Sequence, residues 1–166
     1  MTQFARARQD CGMTDWFDIA LVFDPAARRA DNALGEDGDL VMDETPATAM
    51  LVSFGSDRRA RPDDALPAGV SELNQPASLV ERRGWAGDAL DGAGALIGSR
   101  LWLLDRAKQS ELTRLMAAEW CKEAFAWAAD ETPSAAVIAA DWVRREVLGL
   151  TITVDGRTLQ LNRRVG

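Results

Sequence analysis

Two rhythms of apolar residues run along the chain. Near the start, Phe17, Ile19, Leu21 and Phe23 take every second position between 16 and 24, the period of a half-buried strand. Asp24 and Pro25 close it with a turn. A weaker extended stretch over 29–34, the turn Gly35-Glu36-Asp37-Gly38 and a third short strand over 39–42 complete an N-terminal β-meander. The two-residue period returns late in the chain, where Val137, Ala139, Asp141 and Val143 alternate with Ile138, Ala140 and Trp142. A second strand rich in β-branched residues follows over 147–154, then the tight-turn pair Asp155-Gly156 and a last strand over 158–162.

Between these ends the rhythm is helical. Thr45 as N-cap, Pro46 at the first helical position, Met50, Leu51 and Phe54 on one face and Gly55 as a stop predict a short core helix. Residues 62–80, with Pro62, Pro67, Gly69 and Pro76, read as a long irregular loop. Ser99 as N-cap predicts a short amphipathic helix with Leu101 and Leu104 on one face and Trp102 and Arg106 on the next. Ser110 and Glu111 open a longer helix that runs to near Asp130. Its stripe is Leu112, Leu115, Met116, Trp120, Ala124 and Trp127, with Cys121, Phe125 and Ala128 beside it. The class is α+β: N-terminal β-meander, short helix, long loop, central amphipathic helix and C-terminal antiparallel strands. Residues 1–15 show no period and predict a flexible extension, and residues 16–166 predict a single domain.

Charge and chemistry narrow the function. A formal charge of −7 over 166 residues opposes binding to nucleic acid or to an anionic membrane. The first residues lack an apolar signal region, and no apolar run approaches the ~20 residues that span a bilayer, so synthesis in the cytoplasm is expected. Cys11 and Cys121 are far apart and join no metal or disulfide motif, which points to a reducing compartment. The chain has no histidine and no tyrosine, which removes Ser-His-Asp and Cys-His mechanisms and histidine metal ligands. No cofactor is expected either. The glycines at 92, 94 and 98 lack the preceding strand of a dinucleotide loop, and the acidic turn around Asp37 lacks EF-hand spacing. Carboxylate chemistry of the glycosidase kind is the one enzymatic alternative left, and Glu119, Glu123 and Asp141 fit exposed faces rather than a cleft.

The most unusual stretch is Arg82-Arg83-Gly84-Trp85-Ala86-Gly87-Asp88, followed by Gly98-Ser99-Arg100-Leu101-Trp102. Glycines on both sides of Trp85 permit a sharp turn. The arginine forks suit a carboxylate such as Asp88 or an indole face. Arg58 and Arg59, in the basic run 57–61, add to the set. These residues serve either as an internal brace, with arginines tied to the chain's own carboxylates, or as a docking surface, since tryptophan and arginine are enriched at interface hot spots.

The segments RRGWAGD and GSRLWLLDRAK resemble the Mu-like phage tail protein family, the products of gene forty-six in phage Mu. The opening FDIALVFDPAARRADNALGEDGDLVMDE, the block AMLVSFGSDRRA and the helical EAFAWAADE are similar to it as well, so the resemblance spans roughly 16–155. It implies a structural component of a contractile tail baseplate, in a phage or prophage, without enzymatic turnover. More distantly it implies a likeness to W-like wedge proteins, whose arginine-bearing motif the arginines here would match. The implied partners are other baseplate proteins of the wedge, the hub and spike, and the sheath or tube. The implied location is the host cytoplasm during assembly and then the virion baseplate. The residues carried over are Arg82, Arg83, Gly84, Trp85, Gly87, Asp88, Gly98, Ser99, Arg100, Leu101 and Trp102, with Arg58 and Arg59.

Overall fold

A computed structural model describes residues 18–24, 26, 27, 29–67, 80–92 and 94–166. The predicted extension at 1–15, the start of the first strand at Trp16 and Phe17, Cys11, and residues 68–79 of the long loop lie outside the described residues. The architecture is α+β, and the chain divides into two compact units, 1–48 and 49–166.

In the first unit the predicted opening strand is split at Ala20. Its first part, β1 (Asp18–Ile19), pairs antiparallel with β4 (Met42–Asp43), while β2 (Leu21–Asp24) pairs with β3 (Arg29–Asn32). Three backbone hydrogen bonds among Ala20, Ala33 and Val41 tie the pieces at one junction. The Asp43 carboxylate accepts from the backbone N–H groups of Thr45 and Thr48 and from both their hydroxyls. Burial alone would raise its pKa, but these bonds hold it below the ordinary value. Asp43 therefore caps the start of α1 (Ala47–Gly55), supplementing the Thr45 hydroxyl, which accepts only a long bond from Ala47.

The second unit is organised around α2 (Glu111–Ala124) and a three-stranded antiparallel sheet, β5 (Val137–Arg144), β6 (Val147–Val154) and β7 (Arg157–Arg164), with β6 central. Every second residue of β6, namely Leu148, Leu150, Ile152 and Val154, is buried, as period-two patterning requires. The turn into β7 has positive φ at both Asp155 and Gly156, as in the type I′ hairpins that Asp-Gly favours. Ser110 caps α2 by accepting from the Thr113 N–H at 3.1 Å.

Three predictions for the helices are corrected here. The long helix does not reach Asp130: α2 ends at Ala124, and a short α3 (Ala128–Glu131) follows after a break. Phe125 and Ala128 are both buried, and the Trp127 indole donates to the Ser53 hydroxyl at 2.9 Å, so packing redirects the chain without glycine or proline. The face of α2 is also rotated from the predicted stripe. Thr113, Ala117, Trp120, Cys121 and Ala124 point inward, while Leu112 and Leu115 are 67% and 51% exposed. Trp120 and Ala124 are buried as predicted, and the small Thr113 and Ala117 take the place of the leucines because α2 lies close to β5, where the Arg114 guanidinium donates to the Ala140 carbonyl at 2.9 Å. Likewise the helix after Ser99 is a 3-10 helix, Arg100–Arg106, with Arg100 and Leu101 to Leu104 all buried, so it is not amphipathic. Ser99 does not cap it. Its N–H pairs with the Ser56 carbonyl instead.

Candidate functional site: an arginine cluster on Glu123

The candidate arginines converge within the second unit, and backbone pairing brings them there. Segment 56–60 lies between two distant stretches: Ser99 N–H donates to Ser56, Arg58 N–H to Ser99, and Ala60 N–H to Arg82, each at 2.9 Å. Both crossing points need glycine. Gly98 (φ 91°) sits where a Cβ would lie 2.4 Å from the Ser56 carbonyl oxygen, and Gly84 (φ 95°) where one would lie 2.7 Å from the Arg59 Cβ. Arg83 also has positive φ, 51°, an uncommon state for a side chain of its size. The turn is therefore a strained and specified element. The basic run, which composition alone would leave solvated, is a packed connection with Ala60 buried.

Arg100 is the centre. Its side chain is only 8% exposed, and its guanidinium donates to both oxygens of Asp64 (2.8 and 2.9 Å) and twice to Glu123 Oε2 (3.0 and 2.7 Å). It also lies over the Trp120 ring, 5.4 Å from the centroid. Arg61 reaches the other Glu123 oxygen at 2.7 Å, and Arg58 pairs with that oxygen at 3.8 Å while donating to the Glu123 carbonyl. Two carboxylates thus serve three guanidiniums. Burial would raise the Glu123 pKa, but the hydrogen bond and charge of Arg100, then Arg58 and Arg61, hold it below the ordinary carboxylate value. For Arg100, burial works against the charge, yet bonds to Asp64 and Glu123 raise its pKa. For Arg58 burial dominates and the shift is downward.

The other predicted residues divide into two groups. Trp102 is buried, and its indole N–H donates to the Arg58 carbonyl at 2.8 Å. Arg82 donates to the carbonyls of Arg61 and Pro62. Arg59 is half-buried, with one guanidinium nitrogen buried and unpaired. Asp88 does not pair with the neighbouring arginines. One of its carboxylate oxygens accepts from the Ile97 N–H at 3.1 Å, and the other is buried without a partner. Arg83 and Trp85 face outward. Arg83, 44% exposed, pairs with Asp57 at 2.7 Å and covers the Trp102 ring at 4.5 Å. Trp85 is 55% exposed and folds over Gly87, where any side chain would collide with the ring.

Asp64, Glu123 and Asp105, which pairs with Arg163 at 2.6 Å and Arg83 at 3.8 Å, carry no local signal in the sequence. Glu123 looks like an ordinary exposed helix residue, and its partners lie 23 to 65 positions away, so no local pattern marks it. Asp57 and Arg61 lie inside the basic run 57–61, which is the one signal for them.

The sequence model of the phage protein GP46 family matches residues 46–160, most of the chain and all of the second unit but its C-terminal end. The chain belongs to the phage protein GP46 family. It is similar to baseplate protein gp46 of Escherichia phage Mu, with 37% identity over 95 residues. That alignment covers 57% of this chain and 58% of the relative, so the chain spans under three-fifths of the relative's length. No solved structure matches. The segment matched to the GP46 family contains the whole Glu123 cluster and both glycine crossings. In this GP46 protein no helix of the described residues is long and apolar enough to cross a membrane. Among those residues no group of three or more acidic or cysteine side chains converges as a metal site.

Proposed function

We propose that this chain is a structural subunit of a contractile phage or prophage tail baseplate, acting in the wedge by docking onto neighbouring baseplate proteins. The family match over 46–160 carries this reading. The geometry supports a division of labour within the motif. Arg58 and Arg100 brace the fold on Glu123, Arg100 also on Asp64, while Arg82 and Trp102 brace it through the backbone carbonyls of Arg61, Pro62 and Arg58. Arg83 and Trp85, with the outward Leu112 and Leu115 of α2, form exposed docking elements of the hot-spot type. The carboxylate glycosidase alternative draws no support from the described cavities. The cavity beside Leu66, Met116 and Trp120 has Asp64 as its one acidic side chain, engaged by Arg100, and the one beside Gln109 has Glu146 as its one. A glycosidase needs two facing carboxyls.

Co-expression with the proteins encoded beside the gene, followed by purification and mass determination of the complex, tests the reading. A heteromeric complex that is lost in Trp85→Ala, while the variant alone keeps the wild-type melting point, is the expected result. Purification as a lone chain with every neighbour would sink the docking role.

A further inference from the structure

The charge of the chain is distributed unevenly. Residues 1–48 carry ten acidic and four basic side chains and residues 49–166 sixteen and fifteen, so the first unit holds six of the seven net negative charges. Asp24, Asp31, Glu36, Asp37, Asp39 and Glu44 are all exposed. The same unit exposes Val22 at 57%, Leu34 at 68%, and Ile19, Leu40, Val41 and Met42 at 36–44%. Four of these apolar residues are paired, Ile19 opposite Met42 and Leu34 opposite Leu40, while Val22 stands opposite Asp31. Directly opposed residues of an antiparallel pair project to one side. The hydrogen bonds joining Ala20, Ala33 and Val41 keep both pairs within one residue of a common junction. The result is an apolar patch with an acidic rim, built from residues N-terminal to the segment that matches the family.

We infer that this unit is a docking module for a basic protein surface with an apolar centre, which deepens the assembly reading and rests on it. The charge selects the occupant. Phosphate backbones and anionic lipid are repelled by a surface of net −6. A second copy meeting this face with its own would set like charges against each other, and the rest of the chain, at net −1, offers no strong attraction. A cationic rim around apolar side chains matches both features, since buried apolar area holds the complex and opposite charge speeds and orients encounter.

The full chain carrying Leu34→Ser/Leu40→Ser, and separately Glu36→Lys/Glu44→Lys, is compared with wild type for binding to each purified neighbouring tail protein. Binding is measured at about 0.05 M and about 0.5 M salt. All four positions are exposed, so both variants should keep the wild-type far-UV spectrum and melting point. The expected result is a basic partner whose affinity drops about tenfold or more in each variant and at the higher salt. A complex indifferent to both variants and to salt, or formed with an acidic neighbour, overturns the inference and leaves the assembly reading standing. Self-association of the chain, abolished by Leu34→Ser/Leu40→Ser, overturns it by assigning the patch to a second copy. Failure of every neighbour to bind wild type overturns the assembly reading together with the inference.

Discussion

Replacing Glu123 with glutamine isolates the charge of the cluster, because glutamine preserves the side chain's shape and one accepting oxygen. Wild-type Glu123 is 21% exposed and serves Arg100, Arg61 and Arg58. Removing one partner of a buried ion pair costs about 3–5 kcal/mol, because the other charge stays desolvated. Arg100 keeps its two bonds to Asp64, so the loss here is set lower, at about 2–3 kcal/mol. For a chain of this size that lowers the Tm by about 5–10 °C. Urea unfolding followed by tryptophan fluorescence suits the measurement, since Trp102 and Trp120 lie against the cluster. Arg61→Gln is the control: its side chain is 58% exposed, and the same cycle should return less than about 0.5 kcal/mol. The pH dependence has a definite sign. The folded Glu123 pKa is depressed below 4.5, so its stabilisation is complete above that pH and disappears as pH falls through the folded value. The gap between wild type and Glu123→Gln should therefore be constant above 4.5 and close below it. Equal stability of Glu123→Gln and Arg61→Gln at neutral pH, or a gap that persists in acid, would refute the idea of a charge-locked brace.

Other substitutions probe the same architecture. Gly84→Ala forces a side chain into both a left-handed backbone and the Arg59 Cβ, and should destabilise by about 2–4 kcal/mol in denaturant melts. Leu150→Ala empties a fully buried β6 position and should cost about 2–5 kcal/mol. Leu112→Ala, on the outward face of α2, should stay within about 0.5 kcal/mol, and a larger loss would return Leu112 to the core. Burial pushes the Cys121 thiol up to about 12, so in a Cys11→Ser background the native protein should resist alkylation at pH 8 and react on unfolding in urea. Rapid native labelling would show that α2 opens locally.

The sequence by itself determined the elements whose signals are local. The β-branched strand β6, the Asp155-Gly156 turn and the Ser110 cap each depend on residues within one turn or one strand of each other, and each stands where the pattern puts it. The set Arg58, Arg82, Arg83, Arg100 and Trp102 was visible as well, because arginine, glycine and tryptophan are unusual together. Tertiary structure alone decided what these residues do. Whether an arginine is a brace or a surface charge depends on a carboxylate far along the chain, and Glu123 becomes an anchor only when α2 lies against segment 56–61 and Arg100. The inner face of α2 is set the same way. Hydrophobicity chose Leu112 and Leu115 together with Trp120 and Ala124, but close approach to the sheet admits small residues, so Thr113 and Ala117 lie inside where the leucines were expected and the leucines face outward.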